Sequence, residues 1–415
     1  MTESEIRGRG QCGHLPPIVL GGQGRLGSEL VSTARAMLWT LAGAIVALLW
    51  FACGSSQTSE LQAQPVALAL PAMIATPATL PAHATPGPVQ VIDRIRDSAG
   101  AVLQLVTDPD VVRSPVAGYV MAVHATRAPP GSTQPQNVIA ITRSADGDGI
   151  RWSPLQIVLS PRPGQWDAQG DETPSLAPPT SQLPWTLMHS GYPGAPGALA
   201  GRHGRTKGLY LATAPDVGGV PGTFQRVTAG PVIGPEQTWA TPYVGPSGVL
   251  DGGLDEPSHV ISGTTWLALV GGTSYAAGQT PCIGLAFSVP PYSGRAWLLE
   301  PDPVIVATPP LWVCQADLVL DPRDGSWHCW CAGTITGGGE GIWHYWSTDL
   351  RNWVLTGGGP VLRTTQGTWY GSRCFGPTAV LEQDAQGAWS WVIWFSGRPA
   401  GASADWSVGM GRAAA

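Results

Sequence analysis

A short pattern that recurs five times limits the fold of this chain more than any other feature. The copies read TDPDVV, ETPSLA, DEPSHV, CQADLV and FGPTAV, with anchors at Pro109, Pro174, Pro257, Ala316 and Pro377. Each anchor is followed by a run that opens on a bulky apolar or aromatic residue: GYVMAVHA, WTLMHSG, TTWLALVGG, SWHCWCAG and WSWVIWFSG. A third run comes next in each copy, VIAITRS, GLYLATA, CIGLAFS, GIWHYWS and SVGMGRA. In four copies a fourth run begins with proline: PLQIVL, PVIGP, PVIVA and PVLRT. Apolar residues at every second position, bounded by glycine and polar turns, are a strand signal. Repetition at a fixed layout means that one small unit is built several times.

Four short antiparallel strands in each of five units predict an all-β fold, a five-bladed β-propeller. The fifth unit ends after its third strand. Its missing partner is expected from Val91–Val106, and that N-terminal strand would close the ring and cover its open edges. Composition agrees, with 55 glycines and 40 prolines in 415 residues and only 12% charged residues. Such punctuation suits tight turns between strands, and no long 3.6-residue apolar stripe favours helices. The net charge is −6 and Lys207 is the only lysine, which argues against a nucleic-acid partner.

The N-terminal region has a different character. Residues 1–35 read as a signal n-region or cytoplasmic tail carrying Arg7, Arg9, Arg25 and Arg35. Residues 36–54 are an uncharged hydrophobic segment, long enough to span a bilayer. The basic flank places the C-terminal bulk of the chain outside the cytoplasm. The segment is read either as a lipoprotein signal, with Cys53 as the lipidated residue after the small Ala52, or as an uncleaved anchor. Residues 55–90, rich in Ala, Pro and Thr, read as a flexible linker, and 91–415 as the propeller domain. The expected product is exported, tethered to a membrane and monomeric. Cys314 and Cys374 occupy matching places in two successive repeats, which leaves open a bond between them or isolated buried thiols.

In a propeller the first strand of each blade lines the axial channel, so the residues before the anchors converge there: Asp108, Thr173, Glu256, Gln315 and Gly376. Two carboxylates across a funnel are what glycoside hydrolysis needs, one protonated as acid and one as base or nucleophile. The run Asp108-Pro109-Asp110-Val111 resembles the opening motif of family 43 glycoside hydrolases and the related invertase-like enzymes, and Glu256-Pro257 is similar to their acidic element. The resemblance implies a five-bladed propeller with Asp108 as general base and Glu256 as general acid. It also implies a second-blade carboxylate that raises the acid's pKa. Thr173 occupies that aligned position, so Asp171, Glu172 or Asp167 is proposed instead, with Asp171 or Glu172 preferred.

Trp166, Trp239, Trp312 and Trp369 precede anchors on loops expected to rim the funnel, where aromatic faces can stack on sugars. His259, two residues after Pro257, could face the same channel. No cofactor is expected and no metal cluster stands out, with a structural ion in the channel left open. The expected function is hydrolysis of pentosides, furanosides or related glycans. A non-catalytic propeller that binds glycan or protein is the alternative, and a sialidase-like propeller is the third reading.

Overall fold

The computed structural model describes residues 89–415 apart from intervening segments that include 93–96, 129–134, 193–206, 235–242, 245–249, 274–280 and 289–293. The expectations for 1–35, for the hydrophobic segment 36–54 with Cys53, and for the linker up to residue 88 lie outside the described residues. All regular structure among the described residues is β.

The strands follow the sequence repeat in five antiparallel units, the first two joined in one eight-stranded sheet by a single parallel pairing of Asn137 with Gly170. A short N-terminal strand, β1 (Val89–Ile92), comes before them and joins the last unit. The first unit runs β2 (Leu105–Ser114), β3 (Gly118–Arg127), β4 (Gln136–Arg143) and β5 (Gln156–Leu159). The second runs β6 (Gly170–Ala177), β7 (Trp185–Tyr192), β8 (Gly208–Ala214) and β9 (Gln225–Arg226). A small hairpin, β10 (Tyr243–Val244) with β11 (Leu250–Asp251), precedes the third unit. That unit contains β12 (Gly253–Ser262), β13 (Thr265–Thr273), β14 (Cys282–Ser288) and β15 (Trp297–Leu299). The fourth has β16 (Val313–Leu320), β17 (Trp327–Thr334), β18 (Glu340–Ser347), β19 (Val354–Leu355) and β20 (Leu362–Arg363). The fifth has β21 (Arg373–Gln383), β22 (Trp389–Arg398) and β23 (Ser407–Ala414).

The N-terminal β1 completes the fifth unit by pairing with β23, Val89 opposite Met410 and Ile92 opposite Val408. The closing strand therefore begins two residues before the expected segment and is shorter than it. The fourth strands also differ from expectation. PVIGP and PVIVA contribute only the isolated bridges Leu209–Ile233 and Ile283–Ile305, while β9 and β15 supply the laddered edge. A proline cannot donate to a ladder, so the outer edge breaks into short pieces.

Five apolar clusters each join two successive units. Val120 and Ile139 pack with Trp185 and Leu187 between the first and second units. Met188 and Leu209 meet Trp266 and Ala268 between the second and third. Leu269 and Leu285 meet Leu318 and Cys329 between the third and fourth. Trp330 and Ile342 meet Trp391 and Phe395 between the fourth and fifth. The last cluster returns to the start, with Trp394 and Val408 of the fifth unit against Met121 and Val123 of the first. The second strands are therefore buried on both faces, which explains why their sequences read as continuous apolar runs. The cysteines at 282, 314, 329, 331 and 374 are free thiols.

A second cycle, of hydrogen bonds, joins the innermost strands. The residue just after each anchor accepts a backbone N–H from another unit's first strand. Asp110 accepts from Leu176, and Ser175 Oγ from His259 at 2.9 Å. Ser258 Oγ accepts from Leu318 at 2.8 Å and Asp317 Oδ2 from Ala379 at 2.7 Å. Thr378 Oγ1 closes the circuit by accepting from Val111 at 3.1 Å. First strands cannot ladder to one another at the centre, so side chains satisfy donors that would otherwise be buried and unpaired.

Burial pushes the Asp110 carboxyl up, to about 8, with the Asp317 charge adding to the effect; burial likewise raises Asp317. Because these folded-state values exceed the ordinary 3.8, the folded protein holds protons that the unfolded chain releases. Their stabilising contribution is complete below that ordinary value and is lost as pH rises toward about 8. Asp110→Asn keeps a carbonyl acceptor for Leu176 and removes the titration, so its melting temperature should vary less between pH 4 and 8 than that of the wild type. Equal slopes would contradict the assignment. Ser258→Ala strands the Leu318 N–H, and chemical denaturation should register a loss of about 1–3 kcal/mol.

Candidate functional site

All five anchor segments line one central pocket, with Asp108, Thr173, Gln315 and Gly376 among its walls. Beyond the hydrogen-bond cycle lies a separate cavity of about 410 Å³, lined by residues that follow the anchors, including Val111, Leu176, Val260, Leu318 and Val380. The pocket owes its shape to a backbone device repeated in every unit. Each first strand breaks register at the anchor: between Thr107 and Asp110, Glu172 and Ser175, Asp255 and Pro257, Cys314 and Asp317, and Phe375 and Thr378. At the break Asp108, Thr173, Gln315 and Gly376 take positive φ, 51°, 44°, 52° and 56°. A bulge of this kind removes a residue from the ladder and re-aims its side chain, and left-handed backbone at non-glycine residues is a strain kept mainly where function or packing demands it. Glu256 occupies the equivalent place on β12; its side chain lies outside the described residues.

Gly376 is glycine for a second reason. A Cβ there would sit 3.0 Å from Asp108 Oδ1 and 3.2 Å from its Cα. The fifth unit thereby gives way so that Asp108 can enter the pocket.

Asp108 is held from several sides. Its backbone N–H donates to Ser396 Oγ at 2.7 Å. Gln315 Nε2 donates to Oδ1 at 3.2 Å, and the Gln315 carbonyl accepts the Gly376 N–H at 2.9 Å. Thr107 Oγ1 donates to Oδ2 at 3.1 Å. His124 Nδ1 lies 3.3 Å from the same oxygen. Burial works against the charged imidazole of His124, but the bond to Asp108 and the charges of Glu172 and Asp108 outweigh it and raise its pKa. Nothing in the sequence singles out His124. It stands opposite Thr107 on the neighbouring strand, and only the strand register puts it beside Asp108.

Asp171 and Glu172 go to opposite sides of β6, as strand alternation requires. Glu172 faces the first unit, where Asn137 Nδ2 donates to Oε1, and Lys207 Nζ, just before β8 of its own unit, lies 3.2 Å from Oε2. Asp171 is wholly buried within the second unit: Arg226 Nη2 donates to Oδ2 at 2.7 Å, and His189 Nδ1 lies 3.3 Å from Oδ1. Arg226 also reaches Asp167, which Arg162 engages through both oxygens at 3.1 and 3.0 Å. Burial raises Asp171 to about 7 despite Arg226, and burial lowers His189 to about 3. The arrangement is a buried ion network that ties β6 to β7 and β9.

The expected ligand-stacking residues divide. Trp166 and Trp239 lie outside the described residues. Trp369 is a packing residue: its ring stacks on Phe395 with centroids 5.1 Å apart, over Gly397, where a Cβ would fall 2.1 Å from the indole. Trp312 is half-buried, with its backbone N–H donating to Thr334 Oγ1 at 3.0 Å. His259 is a member of the central cycle. Both ring nitrogens are engaged, Nδ1 with Ser175 Oγ at 2.9 Å and Nε2 with Thr186 Oγ1 at 2.8 Å, and burial lowers it to about 3. Among the described residues no group of three or more His, Cys, Asp or Glu is gathered as a metal site.

No protein-family model matches the sequence, and no curated protein matches it significantly. Solved structures do match in fold. A glycoside hydrolase aligns with a TM-score of 0.56 at 14% identity, over 79% of this chain and 92% of that one. A thermostable family-43 glycoside hydrolase aligns at 0.50 and 13%, over 74% and 89%. The catalytic domain of the GH62 α-L-arabinofuranosidase of Coprinopsis cinerea aligns at 0.50 and 12%, over 78% and 95%. The chain therefore has the all-β fold of the propeller glycoside hydrolases of family 43 and its relatives; at these identities the likeness is one of fold.

The contact between His124 and Asp108 has a signature in solution. The imidazole should titrate above the ordinary 6.5 by NMR, and Asp108→Asn should bring that value down. An unchanged titration would separate the two residues.

Proposed function

We propose that the protein is a five-bladed propeller glycoside hydrolase, exported and tethered to a membrane by its N-terminal region, that cleaves pentosides, furanosides or related glycans. The observation that carries the reading is the shared bulge: every first strand breaks register at its anchor, Asp108 lines the central pocket, and Glu256 holds the equivalent backbone position on the third unit. Asp108 acts as the base. Thr107, His124 and Gln315 fix its carboxylate in one orientation, as a residue that must present an oxygen to water or to a sugar carbon requires. Glu256 acts as the acid that protonates the leaving oxygen. Of the two second-unit candidates, Glu172 is the one whose charge reaches the Asp108–His124 pair. Asp171 serves the ion network instead. The closed cycle of clusters and hydrogen bonds supports five blades in one ring. The uncharged segment 36–54, with arginines before it, supports export and tethering.

A non-catalytic glycan-binding propeller is the second reading. Thr173 supports it, since this residue stands where the resemblance calls for a carboxylate and its Oγ1 is engaged with Ser190 Oγ at 2.7 Å.

A panel of aryl pentosides and furanosides distinguishes the two. Glu256→Gln and Asp108→Asn should each lower kcat by about 10²–10⁴-fold, the usual worth of a general acid or base, with the fold retained. Turnover that persists unchanged in Glu256→Gln rejects the acid. Glycan binding without turnover, unaffected by Asp108→Asn, favours the second reading.

A further inference from the structure

We propose that the pocket mouth beside Asp108 carries a subsite for an acidic sugar, a uronate unit of a glycan, held by Arg398 against Trp406. The inference rests on the glycan reading above and adds the class of sugar. It starts from strand register. On the fifth unit Arg373 pairs directly with Arg398 across β21 and β22. Ser407 pairs with Gly397, so Trp406 continues the same row beside Arg398. Like charges placed directly opposite in an antiparallel pair destabilise the sheet. Glu340 forms an ion pair with one of them, its carboxylate lying 2.5 Å from Arg373 Nε, and feels the charge of the other without pairing with it. Arg398 is in no ion pair among the described residues. Its side chain donates one hydrogen bond, to Ser372 Oγ at 3.3 Å, and its guanidinium lies 5.0 Å from the centre of the Trp406 ring.

The row lies next to the proposed chemistry. Ser396, which accepts the Asp108 N–H, is two residues before Arg398 on β22 and shares its face of the strand. Two residues of strand span about 7 Å, so a carboxylate on a sugar seated beside Asp108, or on its neighbour, falls within reach of Arg398. Phe375 pairs with Ser396 and meets Trp406 edge to face at 4.6 Å, and Arg373 lies 5.5 Å from the Phe375 ring. Arg373 also lies 5.8 Å from the Trp406 ring, so the aromatic pair holds both guanidinium groups in place. The planar guanidinium fork matches a carboxylate with two parallel hydrogen bonds, which a neutral hydroxymethyl group cannot provide. An anion here gives Arg398 a direct partner for a charge that otherwise meets only the field of Glu340.

Calorimetric titration of the full chain with trigalacturonate, and with the same trisaccharide after reduction of its carboxyl groups, tests the subsite without relying on turnover. Wild type should bind the acidic form at least about tenfold more tightly, with an advantage that shrinks as salt rises. Arg398→Gln should abolish that preference while leaving the affinity for the reduced form unchanged. Arg398→Lys, which keeps the charge and loses the fork, should retain only part of it and guards against a variant that simply fails to fold. Equal affinity of wild type for both forms overturns the subsite and leaves the glycan reading standing. So does an acid preference that survives in Arg398→Gln, or binding confined to a sulfated oligosaccharide. Binding of no glycan of any kind overturns both.

Discussion

The fold depends on how five first strands meet where no ladder is available to them. Among the described residues no first strand ladders to another, and the N–H groups that meet at the centre are buried. Asp110, Ser175, Ser258, Asp317 and Thr378 solve this by each taking one N–H from another unit. The cost of failure is set by desolvation: an orphaned buried donor is worth more than the net gain of the bond that would have satisfied it. The apolar clusters between units add burial, which is non-directional. The polar cycle is directional, and it specifies which unit follows which.

That cycle also determines what the pocket can be. With the residue after each anchor committed to a neighbour, the residue before it is released by the bulge, and Asp108, Thr173, Gln315 and Gly376 line the pocket. The cycle members Asp110, Ser258 and Asp317 line it in part as well, whereas those four residues before the anchors are free of the cycle and vary on a scaffold that does not. Gly376 illustrates the trade: its missing side chain is the space that Asp108 uses. Polar contacts concentrate there: Asp108 meets His124 and Ser396, Gln315 reaches in from the fourth unit, and the charge of Glu172 acts on His124. Burial raises the carboxyls of the cycle, while the donors around Asp108 act on orientation.

Much of this is legible in the sequence. The anchor spacing sets the number of units, the alternation marks the strands, and a fifth unit short of one strand calls for an N-terminal partner, which β1 provides from Val89. The polar cycle is legible in principle, because all five residues after the anchors bear a hydroxyl or a carboxylate. Their side chains differ so much that the shared role, acceptance of an N–H, is visible only in three dimensions. His124 is hidden by the bulge, which shifts the register by which Thr107 and His124 face each other. His259 reads as a channel residue because periodicity shows which face a side chain takes and not what occupies that face. Asp171 and Glu172 stand together in the sequence, and the strand sends one to the ion network and the other to the first unit.

The central claim is that one ring brings Asp108 and Glu256 to opposite sides of a single pocket. The most direct measurement is the separation of their carboxyl groups in a crystal structure of the protein with a bound sugar. A value of about 5–9.5 Å is expected, the span over which paired carboxylates hydrolyse a glycosidic bond with retention or inversion. A Glu256 side chain turned away from the sugar, or a separation well beyond that span, would contradict it.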